Sequence, residues 1–254
     1  MLLTVDMGNT NITLGVFRGD SLLFESRLAT DHTKTGDQYA VELQNVLRLY
    51  EVDLRGFEGA ILSSVVPALD RSLCDAVTRV TGVTPLLVGP GIKTGINIRI
   101  DNPAQLGADL LTGAVAAVSK YGAPCIIWDL GTATTVSVVD KNGAFRGGAI
   151  MPGVRTSYNS LSATASLLPS ISLQAPDRVI GPNTVDCMRS GAVFGNAAMM
   201  DGMNLRIREE LGYDAPVIVT GGLSREIAAQ CRVPVTYDDT LLLDGLRVIY
   251  EKNR

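Results

Sequence analysis

An internal repeat constrains the fold of this chain more than any other feature of its sequence. Residues 2–16 (LLTVDMGNTNITLGV) align with residues 125–139 (CIIWDLGTATTVSVV), and the two Asp-x-Gly segments at Asp6 and Asp129 then coincide. In each copy an apolar run leads through this segment and several hydroxyl or amide residues into a second β-rich run. A glycine-containing turn and a third apolar run follow. Short strands joined by such turns predict β-hairpins in both halves.

Helical and extended patterns follow the hairpins. The spacing of apolar residues predicts helices over residues 38–50, 68–80, 104–120, 183–211, 224–230 and 241–252, the fourth being broken near Gly191 or Gly195. Short apolar runs predict strands over residues 59–65, 86–88, 217–220 and 233–236. Residues 161–182 lack a clear periodicity and are predicted to form a loop.

Together these elements predict an α/β protein built from two β-β-β-α-β-α-β units. Each unit would be a mixed sheet flanked by helices, with a cleft between the two. The boundary is predicted near Gly122, which divides the chain into residues 1–121 and 122–254. A chain of 254 residues is long enough for two small domains. Chance likeness between two hairpins is the alternative explanation of the repeat.

The composition excludes several kinds of site. His32 is the only histidine, which excludes zinc sites with several histidines and disfavours a Ser-His-Asp triad. The cysteines are far apart and form no C-x-x-C pair, so we expect free thiols in a reducing cytosol. They are Cys74, Cys125, Cys187 and Cys231.

The net charge and the hydropathy of the chain limit the kinds of partner that it can bind. The chain has 22 Lys and Arg against 26 Asp and Glu, a net charge of −4, and no basic runs, which argues against nucleic-acid binding. The apolar start of the chain lacks a basic segment and is interrupted by Asp6, unlike a secretory signal peptide. No uncharged apolar stretch reaches about 18 residues, the length needed to span a membrane. We therefore expect a cytoplasmic protein without a membrane partner.

Both Asp-x-Gly loops have the composition of phosphate-binding loops. Gly8 lets backbone N–H groups approach an anion, and its polar neighbours add side-chain donors: Asn9, Thr10 and Asn11. Asp6 ends its strand, where a carboxylate can hold a magnesium ion through water near a phosphate. The second loop, DLGTATT at 129–135, is rich in hydroxyl groups. A plain hairpin turn or ordinary strand chemistry explains either loop equally well.

Two further segments are candidates for ligand contact. Gly221 and Gly222 lie between a strand and a short helix, for which Ser224 is the predicted cap, and would allow a nucleoside to approach the backbone. A tight strand-to-helix turn is the alternative. In DNPAQLGAD at 101–109, Gly107 is unfavourable inside a helix, and Asp109 could accept a hydroxyl proton. An ordinary solvated carboxylate favoured by the helix dipole explains Asp109 as well.

The order and spacing of these motifs resemble the type III pantothenate kinase family of the actin-like ATPase superfamily. The resemblance implies two ribonuclease H-like domains in tandem. It runs over essentially the whole chain and rests on the segments DMGNTNITLGVF at 6–17, ATDHTKTGDQY at 29–39, SSVVP at 63–67, DNPAQLGAD at 101–109, DLGTATT at 129–135, GGAIMPGV at 147–154, NTVDCMRSGAVFG at 183–195, DGM at 201–203, VIVTGGLS at 217–224 and LLLDGLRVIYEKN at 241–253.

The resemblance implies ATP-dependent phosphorylation of pantothenate, the first step of coenzyme A biosynthesis, in a homodimer. It implies that Asp109 is the general base and that Asp129 holds a monovalent cation, potassium or ammonium. ATP would be bound by residues of the glycine loops, namely Asp6, Gly8, Asn9, Thr10, Asn11, Thr13, Gly131, Thr132, Gly221 and Gly222. Pantothenate would meet Gly107, Ala108, Asp109, Leu110, Ile100 and, from across the dimer interface, Thr184. Residues 1–121 would then carry the phosphate loop and substrate site, and residues 122–254 the nucleotide and dimerisation surfaces.

Three positions depart from the family pattern near these predicted contacts. Leu110 stands where the family usually has Arg, Ile100 where it often has Tyr, and Ser137 where it usually has Asp. Arg99 or Arg146 could replace the missing positive charge. The departures keep two other hypotheses open: a weakly active or inactive nucleotide-binding paralogue with a regulatory role, and a kinase of another small hydroxyl compound.

Overall fold

The structure, a computed structural model, describes residues 1–254. The strands β1 to β11 span Leu2–Met7, Asn11–Arg18, Ser21–Ala29, Gly59–Ser64, Leu86–Leu87, Asn97–Ile98, Cys125–Leu130, Ala133–Val139, Ala144–Pro152, Val217–Thr220 and Thr236–Tyr237. The helices α1 to α8 span Gly36–Leu49, Pro67–Thr81, Ala108–Tyr121, Val154–Thr164, Thr184–Ser190, Asn196–Leu211, Ser224–Ala228 and Leu241–Asn253. None of the helices combines the length and apolar character that a membrane crossing requires.

The chain forms two compact units, and neither is a single stretch of sequence. The first unit contains Met1–Gly95, Asn102–Ser119 and Leu241–Arg254, and the second contains Ile96–Asp101 and Lys120–Thr240. Each unit has its own sheet and its own buried apolar cluster. The division of roles between residues 1–121 and 122–254 stays a prediction.

The first unit is built on a five-stranded sheet in the order β3-β2-β1-β4-β5. The central strand β1 pairs antiparallel with β2 and parallel with β4. Because side chains alternate across a strand, one face of the sheet presents Leu3, Val5 and Met7 to the apolar cluster formed with α1 and α2. Helix α8 packs against β1, β2 and β4, and its Leu243 lies beside Gly15.

The second unit repeats this plan in the order β11-β10-β7-β8-β9, with β6 added beside β9. Strands β1 and β7 show the same sequence of buried and half-buried residues. Both hairpins also contain a register irregularity near the end of their second strand, between Val16 and Phe17 in one and between Val138 and Val139 in the other, one residue apart in the alignment of the two halves. The predicted repeat of two mixed α/β units is therefore confirmed.

The helix predicted over residues 104–120 is wrong at its start. Pro103–Gln105 form a separate 3-10 turn, capped by the Asn102 side chain, which accepts a hydrogen bond from the Ala104 N–H at 3.2 Å. Leu106 is extended, and α3 starts only at Ala108. Gly107 therefore precedes the helix, and the loss of helix stability predicted for a glycine inside it does not occur.

Three other predictions can be compared with the structure. The predicted loop over 161–182 begins instead with the end of α4, whose single fully buried residue, Val154, gives it little apolar periodicity. The predicted break in the long helix is confirmed as a π-helical turn, Gly191–Gly195, between α5 and α6. Ser224 is the first residue of α7 and not its cap, and its hydroxyl donates to the Gly221 carbonyl.

Candidate functional site

The two aspartates of the repeat occupy equivalent places in their sheets. Asp6 is the last residue but one of β1, in register with Thr13 of β2 and Ser63 of β4. Asp129 is the last residue but one of β7, and it lies in register with Thr135 of β8 and Thr220 of β10. Residues paired in this way project to the same face of a sheet from strands about 4.8 Å apart. Each half-buried carboxylate therefore has a hydroxyl-bearing neighbour on either side.

The first glycine loop is held in shape by its own backbone and by the end of β3. Gly8 donates its N–H to the Asn11 carbonyl at 2.9 Å, and a Cβ at Gly8 would come within 3.3 Å of that oxygen. Thr30 donates its hydroxyl to the Gly8 carbonyl at 2.7 Å and its N–H to the Thr10 carbonyl at 3.0 Å. The exposed polar side chains of this loop are Asn9, Thr10 and Asn11.

The second glycine loop has the same construction. Gly131 donates its N–H to the Ala133 carbonyl at 3.0 Å, closing the turn between β7 and β8. The Thr132 carbonyl accepts a hydrogen bond from the Thr156 hydroxyl of α4 at 2.9 Å. Gly153 lies so close to the backbone of the loop that a Cβ there would collide with the Thr132 carbonyl. Gly131 and Thr132 remain exposed.

Gly221 couples the third glycine segment to Asp129. Its φ is +101°, in the region that favours glycine, and a Cβ there would lie 2.6 Å from Asp129 Oδ1 and 2.6 Å from the Leu130 nitrogen. Only glycine fits this contact without movement of the neighbouring strand. Gly222 follows as an exposed residue. The structure therefore shows a close approach between Gly221 and the Asp129 carboxylate, and the approach of a nucleoside to this segment stays a prediction.

Asp109 lies at the second residue of α3, and its carboxylate turns back over the start of the helix. Asp109 Oδ1 accepts a hydrogen bond from the Leu110 N–H at 2.8 Å. The same oxygen lies too close to the position of a Cβ on residue 107 for that atom to fit, so Gly107 leaves room for the carboxylate. Ala108 starts the helix, and Leu110 lies beside Gly107. The four residues from Gly107 to Leu110 therefore form one compact turn around the carboxylate.

Burial raises the pKa of Asp109 above its ordinary value of 3.8, because burial removes water from around the charged form. The hydrogen bonds donated by the backbone N–H groups of Leu110 and Asp109 lower the pKa, but by less. A carboxylate with a raised pKa is a stronger proton acceptor than an exposed one. Catalytic bases are most effective when their pKa approaches the working pH. The position of Asp109 therefore suits a general base.

The remaining predicted substrate residues, Ile100 and Thr184, and the family departure at Ser137 lie in separate parts of the chain. Ile100 follows β6, and its Cγ2 is 3.7 Å from the position of a Cβ at Gly147. Thr184 is the exposed first residue of α5 and follows the cap Asn183, whose side chain accepts from the Asp186 N–H at 2.9 Å. Ser137 is buried on β8, two residues after Thr135.

Of the two arginines predicted to replace the missing charge, Arg146 is engaged locally. Its Nη1 lies 3.2 Å from Asp140 Oδ2. Burial alone would raise the pKa of Asp140. Hydrogen bonds from the Ala144 and Asn142 N–H groups and from Arg146 outweigh burial, so the pKa of Asp140 lies below its ordinary value. Arg99 is exposed, and its backbone N–H pairs with the Phe145 carbonyl at 2.8 Å.

The side chains of this chain could bind a divalent cation only if a bound substrate supplied further oxygen ligands. No group of three or more His, Cys, Asp or Glu side chains could hold a metal ion. Magnesium is commonly bound through one or two carboxylates together with substrate phosphates and water. Asp6, at the end of β1 and next to the exposed loop at Gly8, is consistent with that mode of binding.

Several supporting residues were missed in the sequence. Thr30 and Thr156 each donate a hydroxyl to a carbonyl of a glycine loop from the segment that follows the third strand of the repeat. Ser63 and Thr220 flank the two aspartates from the fourth strand. The second pair could have been found by extending the alignment of the two halves beyond the hairpins, because Ser63 and Thr220 lie at the ends of equivalent apolar runs.

Comparison with known proteins agrees with the arrangement of these motifs. A family model described as type III pantothenate kinase matches residues 2–206 of the chain. The chain belongs to the type III pantothenate kinase family. Type III pantothenate kinases from Moorella thermoacetica and Exiguobacterium sibiricum are 42% and 44% identical to it over 253 and 254 residues. In both cases the match covers 100% of each chain.

The fold of this member of the type III pantothenate kinase family is shared more widely. The ROK hexokinase from Thermus thermophilus superposes with a TM-score of 0.52 at 14% identity, covering 99% of this chain and 98% of that one. At this identity the likeness shows the fold alone. It confirms the predicted fold class, two ribonuclease H-like α/β domains in tandem.

Proposed function

We propose that this chain catalyses the ATP-dependent phosphorylation of pantothenate to 4'-phosphopantothenate, the first step of coenzyme A biosynthesis. Membership of the type III pantothenate kinase family supports the reaction. The observation that carries the proposal is the turn at Gly107–Leu110, where a half-buried carboxylate of raised pKa lies at the start of α3. Neither a regulatory protein nor another acceptor is favoured by a specific observation.

In the proposed reaction Asp109 orients the pantothenate hydroxyl and accepts its proton. The hydroxyl oxygen forms a bond to the γ-phosphorus of ATP, and the bond from that phosphorus to the bridging oxygen of ADP breaks. The electron pair of the broken bond leaves with ADP. Phosphoryl transfer needs little covalent help from protein groups, so positioning and charge stabilisation supply most of the catalysis. Gly107 contributes to positioning, because the absence of a Cβ leaves space for the Asp109 carboxylate.

The glycine loops are the proposed ATP contacts. In the first unit these are Asp6, Thr13 and the loop around Gly8, and in the second the loop at Gly131 and Thr132 with Gly221 and Gly222. Backbone N–H groups of glycine loops suit phosphate oxygens. Magnesium bound to the phosphates would neutralise charge on their oxygens, with Asp6 holding it through water.

Two finer proposals follow from the family resemblance. Asp129, half-buried between two threonines at the end of β7, holds a monovalent cation, potassium or ammonium. Two copies of the chain form a homodimer in which Thr184 reaches the pantothenate of the partner. Sedimentation of the purified protein tests the dimer, and replacement of potassium by sodium during turnover tests the cation.

The proposed function is tested by coupled ADP release from the purified protein with ATP, Mg²⁺ and K⁺. We expect ADP release to depend on pantothenate, and the phosphorylated product to appear in equal amount. Omission of pantothenate is the matched control. ATP binding without pantothenate-dependent release contradicts the proposal and favours a regulatory protein. Release with another small hydroxyl compound, but not with pantothenate, favours a different acceptor, for which Leu110 and Ile100 would then be the first residues to examine.

Replacing Gly107 by alanine should lower turnover about 10–100-fold, because a misplaced catalytic group loses rate steeply with small displacements. The added Cβ falls on Asp109 Oδ1 and forces the carboxylate away, whereas the backbone of residue 107 has no positive φ and accepts alanine. The melting temperature should change little. Steady-state kinetics and thermal denaturation measure both quantities.

A second variant separates this effect from damage to the fold. In the Asp109→Asn background the same alanine should cause little further loss, since both changes act on one carboxylate. Full additivity of the two losses would contradict the assignment of Gly107 to Asp109.

A further inference from the structure

The hydroxyl of Ser63 is buried and has no hydrogen-bond partner in the first unit. The residue is 0% exposed at the end of β4, and its Oγ is one of the few buried side-chain polar atoms without a partner. A buried hydroxyl without a partner destabilises a fold, because it has lost its hydrogen bonds to water. Alanine would fill the same place in the fold without that cost, so packing alone does not account for a serine here.

The surroundings of Ser63 point to one acceptor. Ser63 is in register with Asp6 of the neighbouring parallel strand, so both side chains project from the same face of the sheet. That face is covered by α8, which packs against both β1 and β4. The Oγ is completely buried, which leaves no room for a bridging water beside it. Side chains in register on neighbouring strands lie about 5 Å apart at their Cβ atoms, a separation that a carboxylate oxygen and a hydroxyl can bridge.

The second half of the chain repeats this pairing. Asp129 of β7 is in register with Thr220, the last residue of β10, just as Asp6 is in register with Ser63. Thr220 is also buried, at 3% exposed. Both copies of the unit therefore place a hydroxyl beside the aspartate of the glycine loop, on the strand that pairs with it in parallel. A chance polar residue would not be expected at the same place in both sheets.

We propose that Ser63 is a positioning residue for Asp6: when MgATP is bound, its hydroxyl donates a hydrogen bond to one carboxylate oxygen of Asp6 and so aims the other oxygen at the hydrated magnesium ion. The inference rests on the proposed function for the role of Asp6, but it concerns only the residues of the first unit. Ser63 touches neither substrate in this scheme. In this scheme the binding of MgATP turns the Asp6 carboxylate toward the Ser63 hydroxyl.

The test compares Ser63→Ala with Thr4→Val, a control on β1 whose buried hydroxyl already has a partner, the Gly15 carbonyl at 3.2 Å. Three quantities are measured on each full-length variant: the melting temperature without ligand, the rise in melting temperature caused by ATP with and without Mg²⁺, and the KM values for MgATP and pantothenate. Ligand-induced stabilisation reports affinity without any need for turnover.

We expect Ser63→Ala to melt at or above the wild-type temperature, because it removes an unpaired polar group. Its affinity for MgATP should fall about tenfold, the loss expected for a charge-assisted hydrogen bond, with the KM for MgATP rising and the KM for pantothenate unchanged. Stabilisation by ATP without Mg²⁺ should match wild type. Thr4→Val should show the reverse: a lower melting temperature and unchanged MgATP affinity.

Other outcomes overturn the inference. If Ser63→Ala binds MgATP as wild type does, or loses affinity for metal-free ATP equally, Ser63 does not act through the carboxylate and the magnesium ion. A fall in its melting temperature without a change in MgATP affinity would assign it a structural role. If the wild-type protein binds MgATP but never phosphorylates pantothenate, the proposed function fails, while the MgATP-dependent shift still decides the role of Ser63.

Discussion

Replacing Asp109 by asparagine should lower the rate of pantothenate phosphorylation about 10²–10⁴-fold, the usual contribution of a general base. Asparagine keeps the size of the side chain and an oxygen that can accept the Leu110 N–H, but it cannot take a proton. The KM for MgATP should change little, because the glycine loops proposed to bind ATP are intact. Single-turnover kinetics would show that the loss lies in the chemical step.

The same substitution should not weaken the fold. Because burial raises the folded-state pKa of Asp109, the ionised carboxylate at neutral pH is less favourable in the folded than in the unfolded chain. The contribution of Asp109 to the free energy of unfolding is therefore greatest at pH values below its pKa in the unfolded chain. That contribution is lost as the pH rises through its pKa in the folded chain. Asparagine removes that loss, so the melting temperature at pH 7 should equal or exceed that of wild type.

The pH profile offers an independent check on Asp109. Protonation removes the base as the pH falls through its folded pKa, so kcat/KM should fall on the acid side with an apparent pKa above 3.8. The small residual activity of the asparagine variant should lack this acid limb. Near-normal turnover, or an unchanged acid limb, in Asp109→Asn would rule out this residue as the base.

The second large effect is expected from Gly221→Ala. The new methyl group would be 2.6 Å from Asp129 Oδ1 and from the Leu130 nitrogen, and alanine disfavours the φ of +101°. Left-handed strain and overpacking together cost about 2–4 kcal/mol. A loss of that size lowers the melting temperature by roughly 5–15 °C in a chain of this length. ATP affinity should fall as well, since Asp129 and its loop must move.

Gly202→Ala is the control for this experiment. Gly202 lies inside α6, has no positive φ and has nothing within 4 Å of a Cβ, so alanine should be neutral or stabilising there. Differential scanning calorimetry and ATP titration of both variants provide the comparison. A melting temperature for Gly221→Ala equal to that of Gly202→Ala would mean that the strand yields to the methyl group at no cost.

The sequence predicted the plan of the fold because local patterns and the repeat agree. The hairpins at Asp6 and Asp129 could be found from alternation, turns and alignment alone, and the break between α5 and α6 was marked by its two glycines. The start of α3 was misplaced because Asn102 and Pro103 also suit a 3-10 turn. Helix α4 was missed because it buries too little apolar surface to show a period.

The residue types of the candidate site could be predicted from the sequence, but the contacts that hold those residues in place could not. Asp109 could be singled out from the motif, whereas the reason for Gly107 required the coordinates, because the carboxylate folds back onto a residue two places earlier. Thr30 and Thr156 lie far along the chain from the carbonyls that they bind. Hydrogen bonds between distant segments leave no periodic signal in a single sequence.

The chain order of the first unit has a consequence for how the protein is made. The sheet of that unit is formed by β1 to β5, but α8, which packs against β1, β2 and β4, follows all the other described elements along the chain and is synthesised after them. Until then the sheet face that carries Thr4, Asp6 and Ser63 lacks its cover. The second unit is complete by residue 240. The unit that contains β1 therefore gains its last packing helix only after the whole of the second unit has been synthesised.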